Sequence, residues 1–305
     1  MVSKKVFPIL KKHPKNSHLA LTGALQMNES LTSNKAPENL SHKSMDGVHY
    51  RVIGDGKKTV VLLRGLGRWS EHWLGFENFL ATKGIRVIAI DNRGFGRSSS
   101  IKINCHQNID EFADDVALII AKEAPAGAHI IGVSLGGMIA LSVAAMKPQL
   151  VASLMLVNSS VAAAKLSRIS RRGLVAIGSI LVGSKHGYER LAKILLGPET
   201  TSDKTSKMAG AWAAIDAVSK PAVTNVWAQL MAARKFAGIS EMAAVGCPVT
   251  VVKSENDLFV NPANSEFIHK HVKGSVILNH ATAGHELVYD DPEWLASAIL
   301  KQLDA

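Results

Sequence analysis

Short runs of apolar and β-branched residues alternate along most of this chain with segments in which apolar residues recur every three to four positions. The runs are typical of buried strands, and the periodic segments are typical of helices that cover a sheet. The predicted strands span residues 49–53, 59–64, 86–91, 128–133, 154–158, 249–253 and 276–278, and the predicted helices include 109–123, 135–147, 263–271 and 292–303. This alternation indicates an α/β fold with a doubly wound, mostly parallel sheet.

The alternation stops between residues 161 and 240, where the sequence is rich in alanine and is predicted to be helical, with breaks at glycine and proline. We therefore divide the chain into three parts. Residues 1–45, which are rich in Lys, Asn, Ser and Thr, are expected to form a flexible basic arm. Residues 46–160 and 241–305 form the α/β core, and residues 161–240 form a helical insertion.

Positive charge is concentrated outside the core. Residues 161–240 contain twelve Lys and Arg against four Asp and Glu, and residues 1–45 contain seven against two, while the whole chain has a net charge of +10. Such an excess favours contact with an anionic lipid surface or an acidic carrier. Residues 165–175 in particular resemble a basic amphipathic helix. The alternative interpretation is a solvated basic face without a partner.

Composition narrows the remaining classes of protein. With 305 residues, of which 47% are hydrophobic, the chain is long enough for one large core. The two cysteines form no disulfide framework, and no apolar run reaches the length of a membrane span or a signal sequence. We expect a cytoplasmic location, or a peripheral one at a membrane. The sequence contains no recognised motif for nucleic acid, cofactor or metal binding, and we expect none of these ligands.

A serine between small residues follows the strand predicted over 128–133. In Gly132-Val133-Ser134-Leu135-Gly136 the two glycines allow a turn that is too sharp for larger side chains, and this turn leaves the serine hydroxyl exposed at the start of a helix. The backbone N–H of Leu135 then points to the same place, where it suits a developing oxyanion. Ser134 is therefore a candidate nucleophile.

A serine nucleophile needs a base that takes its proton and an acid that orients the base. Asp257 follows the strand predicted over 249–253, and His285 follows the strand predicted over 276–278. Both candidates thus lie after the carboxyl ends of strands, where open parallel sheets place their chemistry. Glu255 is the rival acid. The histidines closest to His285 in sequence are interpreted as solvated surface residues: His269, His271 and His280.

These segments make the chain similar to the α/β-hydrolase superfamily, in particular to serine esterases and lipases that carry a helical lid. Residues 60–67 resemble the oxyanion strand of that family, in which the backbone N–H after the first glycine belongs here to Leu66. Residues 91–98 match the family's Asp-x-Arg-Gly-x-Gly-x-Ser turn. One residue departs from the pattern, because Arg64 stands where the family usually has histidine.

The resemblance covers residues 46–305 and implies an esterase that acts through Ser134, His285 and Asp257 and an acyl-enzyme, without a cofactor. Its oxyanion hole would consist of the N–H groups of Leu66 and Leu135, and the insertion would form its lid. A small or medium apolar acyl group is expected from the predicted pocket walls, which are Trp69, Trp212, Trp227, Phe259 and Val260. The alternatives are a C–C bond hydrolase or cofactor-free perhydrolase with the same triad, or a non-catalytic ligand-binding member of the fold.

Overall fold

The computed structural model describes residues 39–166 and 168–304. Within them, one sheet has the strand order β1-β2-β4-β3-β5-β6-β7-β8. The strands are β1 (Leu40–Met45), β2 (Val48–Ile53), β3 (Lys58–Leu63), β4 (Ile85–Ile90), β5 (Ala128–Val133), β6 (Val151–Val157), β7 (Val249–Ser254) and β8 (Val276–His280). Strand β2 pairs antiparallel with β1 and β4, and all other neighbours are parallel. The predicted α/β fold with a mostly parallel sheet is confirmed.

Helices cover both faces of this sheet. They are α1 (Phe76–Thr82), α2 (Ile109–Glu123), α3 (Leu135–Met146), α4 (Arg171–Leu181), α5 (Gly187–Leu195), α6 (Ser202–Val218), α7 (Val223–Lys235), α8 (Ile239–Ala244), α9 (Ala263–His271), α10 (Leu287–Asp290) and α11 (Pro292–Asp304). Alternate residues of the central strands point to opposite faces. In β3, Val61 and Leu63 pack with α2 and α3, whereas Val60 and Leu62 pack with α1 and α11. The central strands are therefore buried on both sides, which explains their continuous apolar sequences.

The beginning of the described chain corrects one boundary. Residues 40–45, which we assigned to the basic arm, form strand β1 and pair with β2 from Leu40↔Ile53 to Met45↔Val48. The two strands are joined by Asp46 and Gly47, whose φ angles are +49° and +83°. Two central residues with positive φ are characteristic of a type I′ hairpin, for which Asp-Gly is a known sequence signal. Residues 1–38 of the predicted arm lie outside the described residues.

The insertion between β6 and β7 contains α4 to α7, and α8 leads back to the sheet. The prediction of an amphipathic helix over 165–175 is wrong for its first half, because α4 begins only at Arg171. The side chain of Ser170 caps this helix by accepting the N–H of Gly173. Arg168 instead donates from Nη2 to the carbonyl of Arg234, at 3.2 Å, near the end of α7. Across the described residues, no helix combines the length and the apolar character that a membrane crossing requires.

Candidate active site

Ser134 lies on the turn between β5 and α3, and its backbone has φ +55° and ψ −115°. Non-glycine residues rarely adopt this region, and such strain is concentrated at functional sites. The flanking glycines make the turn possible. A Cβ on Gly132 would lie 2.3 Å from the carbonyl oxygen of Gly136, and a Cβ on Gly136 would lie 2.3 Å from that of Leu63. Leu135 begins α3, where the first N–H groups have no acceptor within the helix.

The turn after β3 runs directly beside this serine. A Cβ on Gly65 would lie 3.2 Å from Cβ and 3.7 Å from Oγ of Ser134, so the peptide that leads to Leu66 adjoins the hydroxyl. The N–H of Arg68 closes the turn by donating to the carbonyl of Gly65 at 3.1 Å. Gln229 of α7 accepts the N–H of the intervening Gly67 at 2.9 Å. This candidate oxyanion turn, residues 65–68 and below called the oxyanion turn, is therefore held by the sheet and by the insertion.

His285 and Asp257 are both buried and share a hydrogen bond of 2.7 Å between Nδ1 and Oδ2. The other carboxylate oxygen accepts the N–H groups of Phe259 and Val260 at 2.8 and 2.7 Å, so that the acid is fixed in orientation. The ring of Phe259 packs against the imidazole with centroids 4.9 Å apart. With Nδ1 engaged by the carboxylate, Nε2 is left to act as a base. Glu255, the rival acid, has an exposed side chain and pairs with the lysine two residues before it.

Asn158 anchors the loop of His285 to the end of β7, a role that we did not predict from the sequence. It follows β6 with φ +49°. Its Nδ2 donates to the carbonyl of His285 and to Oγ of Ser254, both at 2.9 Å, and its Oδ1 accepts the N–H of Ser254 at 2.9 Å. The next residue, Ser159, donates its hydroxyl to the carbonyl of Ser134 at 2.8 Å. Two consecutive residues thus connect the candidate nucleophile to the candidate base.

Arg64, the residue that departs from the family pattern, forms a buried ion pair with Glu286, which directly follows His285. Its Nη2 lies 2.7 and 2.9 Å from the two carboxylate oxygens, and the guanidinium lies 4.7 Å from the centroid of the Trp73 ring. Burial alone would lower the pKa of Arg64 and raise that of Glu286. The ion pair and its hydrogen bonds, together with other charged groups nearby, outweigh this effect, so the pKa of Arg64 is raised and that of Glu286 is lowered. The ionised pair connects the oxyanion turn to the histidine loop.

A pocket opens between the oxyanion turn and the insertion, with a volume of about 540 Å³ including its mouth. Apolar side chains of α4, α5 and α7 line it, among them Ile180, Leu191 and Val226. Leu66, Gly67 and Arg68 contribute the side that faces the sheet, and the remaining polar lining comes from Tyr188, Asp216 and Lys220. Ser134 and His285 are not among the lining residues, and Leu66 is the residue that the pocket shares with the candidate catalytic site.

The walls of this pocket differ from the predicted ones. None of the five predicted residues lines it: Trp69, Trp212, Trp227, Phe259 and Val260. Trp69 and Trp212 are buried in the core, and Trp227 is 55% exposed on α7. Phe259 and Val260 contact the His285–Asp257 pair instead. Trp212 and Trp227 lie on α6 and α7, and an aromatic residue in a helical segment does not reveal which face of its helix meets the pocket.

Comparisons with known proteins agree with this geometry at the level of the fold. A family described as alpha/beta hydrolase fold matches residues 58–292. RutD from Agrobacterium fabrum, assigned as a carbamate hydrolase, is 28% identical over 214 residues, which are 70% of this chain and 80% of that protein. RutD from Variovorax paradoxus is 39% identical over 113 residues, but this match spans only 37% of the chain and 42% of the relative.

Two further matches have different names. The 2-hydroxy-6-oxononadienedioate/2-hydroxy-6-oxononatrienedioate hydrolase from Paraburkholderia phymatum is 34% identical over 114 residues, which are 36% of this chain and 39% of that protein. The solved structure of the esterase EaEST from Exiguobacterium antarcticum has a TM-score of 0.71 at 17% identity, over 85% of this chain and 96% of that chain. At this identity the structural likeness supports the fold alone.

Proposed function

The chain belongs to the α/β-hydrolase fold family, and we propose that it is a serine hydrolase that cleaves carboxylic esters through an acyl-enzyme. The observation that carries this proposal is the convergence of two features on one edge of the sheet. Ser134 lies on a strained strand–helix turn after β5, and the hydrogen-bonded pair of Asp257 and His285 lies after β7 and β8, at the same carboxyl edge of the sheet. Asn158 and Ser159 connect the two features.

In the first half-reaction, Nε2 of His285 takes the proton of Ser134 while Oγ attacks the ester carbonyl carbon. The N–H groups of Leu66 and Leu135 stabilise the oxyanion, and each such donor typically contributes about 100- to 1,000-fold in rate. Asp257 holds the imidazole and stabilises its positive charge. The imidazolium then protonates the leaving alcohol oxygen as its bond to the acyl carbon breaks.

In the second half-reaction, His285 takes a proton from water, and the resulting hydroxide attacks the acyl-enzyme. The same N–H groups stabilise the second tetrahedral intermediate. When it collapses, the bond between the acyl carbon and Oγ breaks, and the imidazolium returns its proton to Ser134. The carboxylic acid leaves, and the enzyme is regenerated.

The test is hydrolysis of 4-nitrophenyl acetate and butyrate, together with labelling by a fluorophosphonate. We expect Ser134→Ala to abolish both, because no other residue supplies the attacking oxygen. Asp257→Asn is expected to reduce kcat on the order of 10³- to 10⁴-fold, because the imidazole loses its orientation. Ser240→Ala, which changes an exposed serine of α8, is the matched control and should retain both signals. Labelling of the Ser134→Ala protein would overturn the proposal.

A carbamate hydrolase is the second candidate, favoured by the similarity to RutD over 70% of the chain. It would use the same nucleophile, base and oxyanion donors, because a carbamate carbonyl passes through the same tetrahedral geometry. A phenyl carbamate in the substrate panel separates the two functions. If its kcat/KM exceeds that of every ester tested, the ester assignment is replaced.

A further inference from the structure

Arg68 is a buried cation that the proposed mechanism does not use. It lines the pocket next to Leu66, its side chain is 9% exposed, and its guanidinium carbon lies 4.1 Å from the centroid of the Trp212 ring. Its Nη2 is buried and has no hydrogen-bond partner among the described residues. A guanidinium does not lose its proton in a protein, so it carries its charge and its unused donors into the pocket wall. Buried donors of this kind normally have a partner.

The nearest carboxylate does not supply that partner. Nε of Arg68 lies 3.9 Å from Oε1 of Glu286, beyond hydrogen-bond distance, whereas Arg64 occupies the same carboxylate at 2.7 and 2.9 Å. Two buried guanidinium groups therefore share one buried carboxylate. This side of the pocket carries an excess of positive charge.

Asp216, which also lines the pocket, does not accept the free donor of Arg68. Burial raises the pKa of Asp216 despite the opposing effect of Arg68, and Tyr188 donates its hydroxyl to Oδ2 at 2.8 Å. No ion pair within 4.0 Å joins Asp216 to Arg68 among the described residues. At the mouth, the exposed side chain of Lys220 adds a second positive charge. The rest of the wall is apolar.

From this arrangement, which rests on the hydrolase function proposed above, we propose that the enzyme acts on substrates with an anionic group, and that Arg68 binds that group. The substrate class is an ester whose carboxylate, or other anionic oxygen group, lies a few carbon atoms from the scissile carbonyl. The carbonyl oxygen would take the N–H of Leu66, the connecting carbons would lie along the apolar walls of α4 and α5, and the anionic oxygens would accept the free donor of Arg68. Charge-assisted hydrogen bonds of this kind are among the strongest in proteins.

The experiment compares pairs of substrates that differ in charge. Mono-4-nitrophenyl glutarate and 4-nitrophenyl valerate place the difference on the acyl part, and 4-carboxyphenyl and phenyl butyrate place it on the alcohol part. We expect the wild-type protein to prefer the anionic member of at least one pair in kcat/KM. Arg68→Met should reduce that preference about 10- to 100-fold, and Arg68→Lys should reduce it less. Arg234→Met, which removes an exposed lid arginine, should leave the preference unchanged.

The ratio of kcat/KM between the two substrates of a pair distinguishes anion binding by Arg68 from a structural role of Arg68, because a loss of packing around Arg68 would slow the hydrolysis of both substrates alike. Equal preferences in the wild-type and Arg68→Met proteins would overturn the inference. Calorimetric titration with glutarate provides a test that does not depend on turnover. If no ester is hydrolysed but glutarate binds to the wild-type protein and more than tenfold more weakly to Arg68→Met, the proposed function fails and the anion site stands. If esters are hydrolysed without any charge preference and glutarate does not bind, the site fails and the function stands.

Discussion

Replacing Arg64 with methionine removes the positive charge from the buried pair with Glu286 and keeps a side chain of similar length. At 2.7 Å and an effective dielectric constant of about 20, the two charges attract each other by about 6 kcal/mol. Desolvation offsets part of this attraction, and removal of one partner of a buried pair typically costs about 3–5 kcal/mol. Arg68 remains 3.9 Å from the carboxylate and still attracts it by about 4 kcal/mol. We therefore expect the lower end of the range, about 3 kcal/mol.

The assay is urea unfolding at pH 7, followed by tryptophan fluorescence. The double variant Arg64→Met/Glu286→Leu should lose less free energy of unfolding than the sum of the two single variants, because it leaves no unpaired charge in the core. Lys207→Met is the control, since Lys207 and its partner Asp203 are both exposed. Loss of such a surface pair should cost no more than about 0.5 kcal/mol.

The same variants test whether the pair positions the active site. Because Arg64 precedes the oxyanion turn and Glu286 follows His285, we expect Arg64→Met to reduce kcat more than it raises KM. Arg64→His, which introduces the residue usual in the family, should not restore stability, because imidazole is too short to reach both carboxylate oxygens. A cost below 1 kcal/mol for Arg64→Met, with unchanged kcat, would refute this reasoning.

Three further outcomes are expected. Gly136→Ala should abolish esterase activity and prevent correct folding, since its Cβ would lie 2.3 Å from the carbonyl oxygen of Leu63, and loss of the native circular dichroism spectrum would reveal it. Asn158→Ala should lower kcat at least tenfold with little change in KM, because the loop of His285 loses its anchor; unchanged kcat would contradict this role. Burial, together with two nearby arginines, lowers the pKa of His72 well below 6.5. The unfolded chain therefore binds a proton that the folded chain does not, so stability should fall as the pH drops below about 6.5, by up to about 1.4 kcal/mol per pH unit. In the His72→Gln protein, the urea midpoint should depend less on pH between pH 6.5 and 5. An equal pH dependence of the midpoint in the wild-type and His72→Gln proteins would refute this explanation.

The strands of the core were predictable because each depends on a local pattern. Apolar runs identified β2 to β8 to within a few residues, and helices α2 and α9 were predicted with their observed ends. The hairpin of β1 was missed although Asp46-Gly47 is a strong local signal, because the polar composition of the preceding residues suggested a flexible arm. Edge strands are half-exposed and lack the continuous apolar run on which the prediction relied.

The candidate site likewise contains parts that a local pattern predicts and parts that it does not. The turn at Ser134 could be predicted from Gly132 and Gly136. A Cβ at either position would lie too close to a backbone carbonyl, so only glycine fits at these two positions. Asn158 gave no comparable signal, since an asparagine after a strand usually ends it, and its hydrogen-bond partners Ser254 and His285 lie in distant segments. The pair of Arg64 and Glu286 was equally hidden. The sequence showed an unusual arginine, but its partner lies 222 residues away.

By itself, the order of residues determined the α/β architecture, the position of the insertion and the choice of Ser134 as the candidate nucleophile, because these follow from short-range periodicity and backbone sterics. The tertiary structure decided which carboxylate meets His285, which helices of the insertion form the pocket and where the charge of Arg68 comes to lie. Those outcomes depend on burial and on distances between remote segments, and only the packed sheet brings these segments together.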